Sequence, residues 1–371
     1  MEFTAAEQRA MRRALDLART PGVPLGPNPR VGCVLLDPRG VEVAEGYHRG
    51  AGSPHAEAAA LAEAGDDARG ATAVVTLEPC NHTGRTGPCA EAMVESGVAR
   101  VVFAQPDPNP VAAGGESTLR AAGVEVAFGL MEREARAVNR AWTFGMEHHR
   151  PFVTWKFAAT LDGRSAAADG SSRWVTSKAA RVDAHRLRSQ CDVMLVGTGT
   201  VEVDDPELTV RDEYDDPLAH QPLRAVMGLR DLDAERRVFN QRAETIRLET
   251  RDPRKALDRL HALDRQHVFL EGGPGLAAAF VRAGLVDEVV AYVAPALLGA
   301  GTSAVGDLGI TTIDDTLRLR IADVTTVGTG SEANVRLTMG LARPPVEHHP
   351  PSVEHHSPSV EPVETTAEKE S

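Results

Sequence analysis

Across residues 1–147, runs of strand character alternate with runs of helix character, and near Arg150 the alternation starts again. Strands separated by helices pair into sheets covered by helical layers, so an α/β layer architecture follows. Thr4 can cap a helix running to about Arg19. VGCVLLD (31–37) and VEVAEGY (41–47) read as strands joined by a tight Asp-Pro-Arg-Gly turn. Pro54 and Gly65 frame the short helix HAEAAALAEA, with Pro54 as its first residue. ATAVVTLEP is a strand, Pro88 and Gly97 frame the helix CAEAMVESG, and VARVVFA is the next strand. The second series predicts strands at 152–158, 192–196, 223–227, 267–270 and 287–294, with helices at 178–190, 253–264 and 274–283. The stretch around 140–150 joins the two series, which divides the chain into 1–147 and 148–341.

The 371 residues are too many for one ordinary core, in keeping with two domains. Residues 342–371 stand apart: they repeat a VEHH or VEP unit, are rich in Pro and Glu, and offer almost nothing to bury, so disorder is expected. Their six Glu against one Arg and one Lys give a net −4, which leaves −9 of the formal −13 for the rest. That acidity, without a basic aromatic strip, argues against a nucleic-acid partner. No run of eighteen apolar residues predicts a membrane span, and the N-terminus lacks the apolar core of a signal peptide. A cytoplasmic protein is expected. In a reducing compartment its four cysteines point to metal or catalysis rather than to disulfides.

Three short segments carry the sharpest chemistry: His55-Ala56-Glu57 opening a helix, Pro79-Cys80 after a strand, and Pro88-Cys89 opening the next helix. One imidazole and two thiolates give three zinc ligands and leave a fourth tetrahedral position for water. Helix N-termini favour thiolate. Zinc brings the pKa of its water towards neutrality. A carboxylate two residues from the ligating histidine, Glu57, can reach that water and shuttle its proton to departing ammonia. His-x-Glu followed by Pro-Cys is the signature of zinc nucleobase deaminases, here with eight residues between the cysteines where the common form has two.

The second series is less explicit. GTGT (197–200) and EGGPG (271–275) are glycine-rich turns from strand to helix, able to hold phosphate on backbone N–H groups. Neither is the GxGxxG pattern of a Rossmann unit. Arg188 and Arg211 are candidates for bidentate pairing with a substrate phosphate.

With these residues in view, the chain resembles the bifunctional deaminase–reductases of riboflavin biosynthesis. LEPCNHTGRTGPCAEAMVESGVARVV (77–102), PNPRVGCVL (27–35), HAEAAAL (55–61) and QPDPNPVAAGG (105–115) match the deaminase half. WKFAATLDGRSA (155–166), SSRWVTS (171–177), VGTGTVEVDDPELTVR (196–211) and FLEGGPGLAAAF (269–280) match the reductase half. The resemblance implies a cytidine-deaminase-like α/β/α domain followed by a dihydrofolate-reductase-like α/β domain. It also implies zinc and NADPH as cofactors, and a homo-oligomer formed through the reductase domain. Its substrate would be a phosphorylated pyrimidine: a diaminopyrimidinone ribosyl phosphate is deaminated, and its ribosyl group is then reduced to a ribityl chain. Carried over by position, Asn28, His48 and His82 would line the pyrimidine pocket. Ala158, Trp174, Thr200, Asp204, Gly273, Pro274 and Gly275 would bind NADPH, and Ser172, Arg188, Leu208, Arg211 and Glu271 the substrate. Lys156, on the strand entering this site, is a candidate for polarising the sugar carbon that accepts hydride. One departure is visible. After the strand 223–227 many family members carry an acidic residue where this chain has Gly228, which leaves the preference for NADPH over NADH open.

Two other readings compete: a monofunctional nucleoside or transfer-RNA deaminase with a C-terminal binding domain, and a non-catalytic regulator that binds flavin precursors. The intact His55, Glu57, Cys80 and Cys89 oppose the second, since a dead site has no use for a proton shuttle.

Overall fold

The computed structural model describes residues 2–23, 26–82 and 87–341. Residues 342–371, which the composition reads as disordered, lie outside the described residues.

Helix α1 (Ala5–Ala18) starts where Thr4 caps it: the Thr4 hydroxyl accepts from Glu7 N–H and the Glu7 carboxylate accepts from Thr4 N–H, a reciprocal capping box. Strands β1 (Gly32–Leu36) and β2 (Glu42–Tyr47) form the expected hairpin. Helix α2 (Ala56–Ala64) follows, starting two residues later than the sequence reading, because His55 is its cap and Pro54 lies before the helix. Next come β3 (Thr72–Leu77), α3 (Cys89–Glu95), β4 (Arg100–Gln105), α4 (Gly115–Ala121), β5 (Glu125–Phe128) and α5 (Glu132–Val138). The sheet order is β2-β1-β3-β4-β5, antiparallel at β1 and parallel from β3 to β5. Alternate residues of each strand face opposite layers. Cys33, Val75 and Phe103 pack under α2, α3 and α4, whereas Val34, Val74 and Val102 pack under α1 and α5.

The connecting stretch is itself a helix, α6 (Arg140–His148), with Trp142 in the core beneath α2 and α3. It leads to the strands β6 (Phe152–Thr160) and β7 (Arg164–Ala166), helix α7 (Lys178–Arg188), β8 (Val193–Gly197), α8 (Thr198–Asp204), β9 (Leu223–Met227) and β10 (Thr245–Leu248). Then follow α9 (Pro253–His261), β11 (His267–Leu270), α10 (Pro274–Arg282) and β12 (Glu288–Ala294). The series ends with β13 (Thr302–Ser303), β14 (Leu319–Val327) and β15 (Asn334–Leu341). The second sheet runs β10-β9-β8-β11-β6-β12-β15-β14, parallel as far as β12 and antiparallel beyond. Helices α9 and α10 cover one face and α7 and α8 the other. Strands β5, β7, β10, β13, β14 and β15 had no counterpart in the sequence reading. In β14 most residues are exposed in succession, which leaves no two-residue alternation of buried and solvent positions.

Helix α6 packs against the second sheet. Arg140 pairs with Glu288 on β12, the Phe144 and Phe152 rings meet edge to face at 5.3 Å, and Arg150 donates to both carboxylate oxygens of Asp287 at 2.7 and 2.8 Å.

Candidate active sites

Strand β3 and helices α2 and α3 bring the first site together. His55 caps α2 without a side-chain cap bond, so its ring is free to point at Cys80, just beyond β3, and Cys89, the first residue of α3. His55 Nδ1 lies 3.3 Å from Cys89 Sγ and 3.5 Å from Cys80 Sγ, and the three potential ligand atoms all lie within 4.8 Å of one another. The Cys89 N–H also donates to Cys80 Sγ at 3.4 Å. The thiols share a proton: the hydrogen bond from Cys89 draws Cys80 down to about 4, and the same bond, with burial, pushes Cys89 up. The hydrogen bond to Cys80, opposed by burial, raises the His55 pKa. A soft, partly anionic donor set with one open side fits tetrahedral zinc. Glu57, the second residue of α2, is 4% exposed, and burial raises its carboxyl to about 7.

A cavity of about 560 Å³ opens onto this centre and is lined by the predicted Asn28, His48 and His82. His48 Nδ1 lies 3.0 Å from the Pro54 carbonyl and Nε2 lies 3.1 Å from the Asn28 amide nitrogen. Burial lowers the His48 pKa, so the neutral ring carries its proton on Nδ1 and accepts at Nε2. His82 Nδ1 is buried without a partner among the described residues.

Four residues outside the predicted set help shape the cavity. Asp107 and Asn109 line it, and burial raises the Asp107 carboxyl to about 6. Glu78 is buried; its carboxylate accepts from the backbone N–H groups of Asp107, Gly114 and Glu116, each at 3.1 Å, and so ties the 107–116 loop beside the centre. The Asn139 side chain makes two bonds of 2.8 Å to the Arg30 backbone, holding the Asn28 segment to the start of α6. For Asp107 the QPDPNP segment was a usable signal, and for Glu78 its place directly before Pro-Cys. Nothing local marks Asn139, whose partner is 109 residues away.

The second site is a cavity of about 650 Å³ at the carboxyl ends of β6, β8 and β11. It collects Lys156, Ala158, Ser172, Trp174, Arg188, Thr200, Asp204, Leu208, Arg211 and Glu271. Gly273, Pro274 and Gly275 are not in its lining. Gly273 N–H donates to the Thr200 hydroxyl at 3.2 Å, Pro274 opens α10, and Gly275 faces a neighbouring cavity. Trp174 is 67% exposed, with the Arg181 guanidinium 4.3 Å from its ring centroid.

The two arginines expected to hold phosphate already hold carboxylates. Arg188 grips Glu271 with two bonds of 2.7 and 2.6 Å, and Arg211 pairs with Glu207 and, at 3.1 Å, with Asp215. Burial alone would push Glu271 up; the charges of Arg188 and Lys156 and the Arg188 hydrogen bonds overcome it and hold the carboxyl at about 2. Lys156 Nζ lies 4.0 Å from Glu271 and 5.9 Å from the Tyr292 ring centroid; burial lowers its pKa, with Glu271 opposing. Among the described residues, the side chains of Arg173, Lys178 and Arg181 line the cavity without an ion-pair partner, Arg173 donating to the Asp204 carbonyl and Arg181 to the Thr176 carbonyl.

Residues 4–105 match the family model described as the cytidine and deoxycytidylate deaminase zinc-binding region, and residues 151–332 match the RibD C-terminal domain. The riboflavin biosynthesis protein RibD of Mycobacterium tuberculosis (strain H37Rv) is 48% identical over 303 residues, spanning 81% of this chain and 89% of its own length. Its counterpart in Escherichia coli (strain K12) is 40% identical over 352 residues, 86% of this chain and 96% of its own. Among solved structures, Acinetobacter baumannii RibD superposes with a TM-score of 0.84 at 36% identity, covering 91% of this chain and 99% of that one. A Thermotoga maritima diaminohydroxyphosphoribosylaminopyrimidine deaminase/5-amino-6-(5-phosphoribosylamino)uracil reductase reaches 0.80 at 31% identity, covering 91% and 99%.

Proposed function

Because this chain belongs to the RibD family, the bifunctional deaminase–reductases of riboflavin biosynthesis that use zinc and NADPH, we propose how its own residues divide the two reactions. Residues 1–147 carry the deaminase and 148–341 the reductase. The observation that carries the first assignment is the convergence of His55, Cys80 and Cys89 with Glu57 buried beside them.

Zinc held by His55, Cys80 and Cys89 supplies, when bound, a water acidified towards neutrality. Glu57 takes a proton from the attacking water and delivers it to the departing amine, so that ammonia leaves and the ring carbon gains oxygen. The Asn28 amide, donating to His48 Nε2, keeps its oxygen for a ring N–H of the diaminopyrimidinone. His82 Nδ1 offers a buried, unsatisfied ring nitrogen to the same ring.

NADPH supplies, when bound, the hydride for the second reaction. Ala158, Trp174, Thr200 and Asp204 flank its place in the larger cavity, with Gly273, Pro274 and Gly275 continuing past the β8–α8 turn. Ser172, Leu208 and the Glu271–Arg188 pair position the ribosyl substrate, while Arg211 holds its phosphate. Arg211 can exchange its bond to Asp215, which is 77% exposed, for a phosphate oxygen, and Arg181 and Lys178 add uncommitted charge nearby. Lys156, which borders the same cavity, hands a proton to the sugar oxygen as the carbon accepts hydride.

No helix among the described residues is long and apolar enough to cross a membrane. A cytoplasmic enzyme whose reductase half self-associates completes the reading; its supports are four unpaired cysteines and an exposed β14 edge. The test is incubation with the diaminopyrimidinone ribosyl phosphate, with and without NADPH, followed by product mass. Without NADPH an amine should be exchanged for oxygen; with it, the product should gain two further hydrogens. A product that never gains hydrogen would leave a deaminase alone.

A further inference from the structure

Helix α7 turns Lys178, Arg181, His185 and Arg188 towards the reductase cavity, which all four line. Steps of three and four residues put them on one face of the helix. Ala180 and Ala184, on the adjoining face, pack against Val290 and Tyr292 of β12. Lys178, Arg181 and Arg188 carry a fixed positive charge. His185 is the exception, and none of the roles assigned above uses it.

One side of the His185 ring is fixed by the main chain: the Arg211 N–H donates to His185 Nδ1 at 3.2 Å. Burial lowers the His185 pKa to about 4; the charges of Arg188 and Arg211 act in the same direction, and those of Glu271 and Asp215 oppose it. The ring is therefore neutral, accepts at Nδ1 and carries its proton on Nε2. That Nε2–H has no hydrogen-bond partner among the described residues.

The donors beside it are already engaged. Arg188 spends two N–H groups on Glu271, and Arg211 pairs with Glu207 and Asp215. A phosphate that draws Arg211 away from the exposed Asp215 arrives where the Arg211 backbone already holds the imidazole. There a neutral N–H adds a hydrogen bond to the anion without a second cation having to give up its carboxylate. A ribosyl group without phosphate leaves that N–H unmet, and a site that pairs a group discriminates against a ligand lacking it.

We propose that His185 donates from Nε2 to the phosphate of the ribosyl substrate beside Arg211 and so makes the reductase site select a phosphorylated ligand, an inference that rests on the reductase reading above. The test is NADPH oxidation by the full chain with the deaminated phosphoribosyl substrate, in competition with inorganic phosphate or with the dephosphorylated ribosyl compound. His185→Ala should raise the KM of the substrate and the inhibition constant of phosphate by about tenfold, the scale of one hydrogen bond to a charged group. The inhibition constant of the dephosphorylated compound, the KM of NADPH and ammonia release should stay within about twofold. His185→Gln keeps an acceptor for the Arg211 N–H and a donor for the phosphate, so it should restore most of the lost affinity. Equal weakening of phosphorylated and dephosphorylated ligands, an unchanged KM in the alanine variant, or a glutamine variant no better than alanine overturns the proposal and leaves the reductase reading in place. A wild type that oxidises no NADPH removes both.

Discussion

His55 and Glu57 lie two residues apart at the start of α2 and take different parts in the proposed deamination, one holding metal and the other a proton. Glu57→Gln keeps shape and volume and removes the shuttle. Ammonia release should then fall by about two orders of magnitude or more, the scale of general acid–base catalysis. Zinc content and NADPH oxidation with the deaminated substrate should both persist. Ammonia release near the wild-type rate would refute the role. In the second site, Glu271 neutralises the buried Arg188, so Glu271→Gln strands a cation and should cost about 3–5 kcal/mol. The sign of its pH dependence follows from a carboxyl held at about 2 against 4.5 when unperturbed. Such a group stabilises the fold above pH 4.5, and that contribution disappears as pH falls towards 2. Urea midpoints at a series of pH values should show the gap between wild type and variant full above pH 5 and closing below it, with pH 5 taken as roughly half a unit above the unperturbed value. A gap that does not change with pH would contradict the assignment.

Helix α2 owes its place to the strand beneath it. A Cβ on Gly46 in β2 would stand 2.3 Å from the Ala56 carbonyl and 2.7 Å from Ala60 N, so glycine lets the helix backbone rest directly on the sheet. Gly46→Ala must lift α2, and His55 with it, away from Cys80 and Cys89. The substitution should destabilise the fold by about 1–3 kcal/mol, as overpacking commonly does, and should also weaken zinc retention against a chelator. A variant that melts lower yet holds zinc as tightly as wild type would show that the centre tolerates movement of α2. The 107–116 loop depends on one element in the same way, since Glu78 at the end of β3 accepts three of its N–H groups. The site is thus framed by main-chain contacts as much as by the side chains that face the substrate.

At the scale of the whole molecule, the second sheet ends on β14, whose Ile321 and Val324 are 58% and 59% exposed. A long edge with apolar side chains in solvent invites pairing, and a second copy of the chain is the occupant proposed above. Val324→Arg should shift the sedimentation of the full-length protein towards one chain while ammonia release stays unchanged, because β14 edges the second sheet whereas α2 and α3 pack on the first. A wild type that already sediments as a single chain would end the oligomer reading.

His55-x-Glu57, Pro79-Cys80 and Pro88-Cys89 were legible in the sequence because caps, turns and strand–helix junctions are decided within a few residues by backbone sterics and local hydrogen bonds. The same short-range rules exposed most of the alternating elements and, with the glycine-rich turns, the approximate place of a cofactor. They could not reveal that the Arg188 and Arg211 forks are occupied, nor that Asn139 fastens the Asn28 segment. They also missed β14 and β15, whose place in the sheet depends on pairing with β12. These features depend on strand order and register. Leu270 on β11 pairs with Trp155 on β6, and that one pairing sets Glu271 beside Lys156, more than a hundred positions away in the chain. The local sequence determined which chemistries the chain carries. Only the tertiary structure decided which charges neutralise one another and which remain for a ligand, because the strength of a charge depends on what is packed against it.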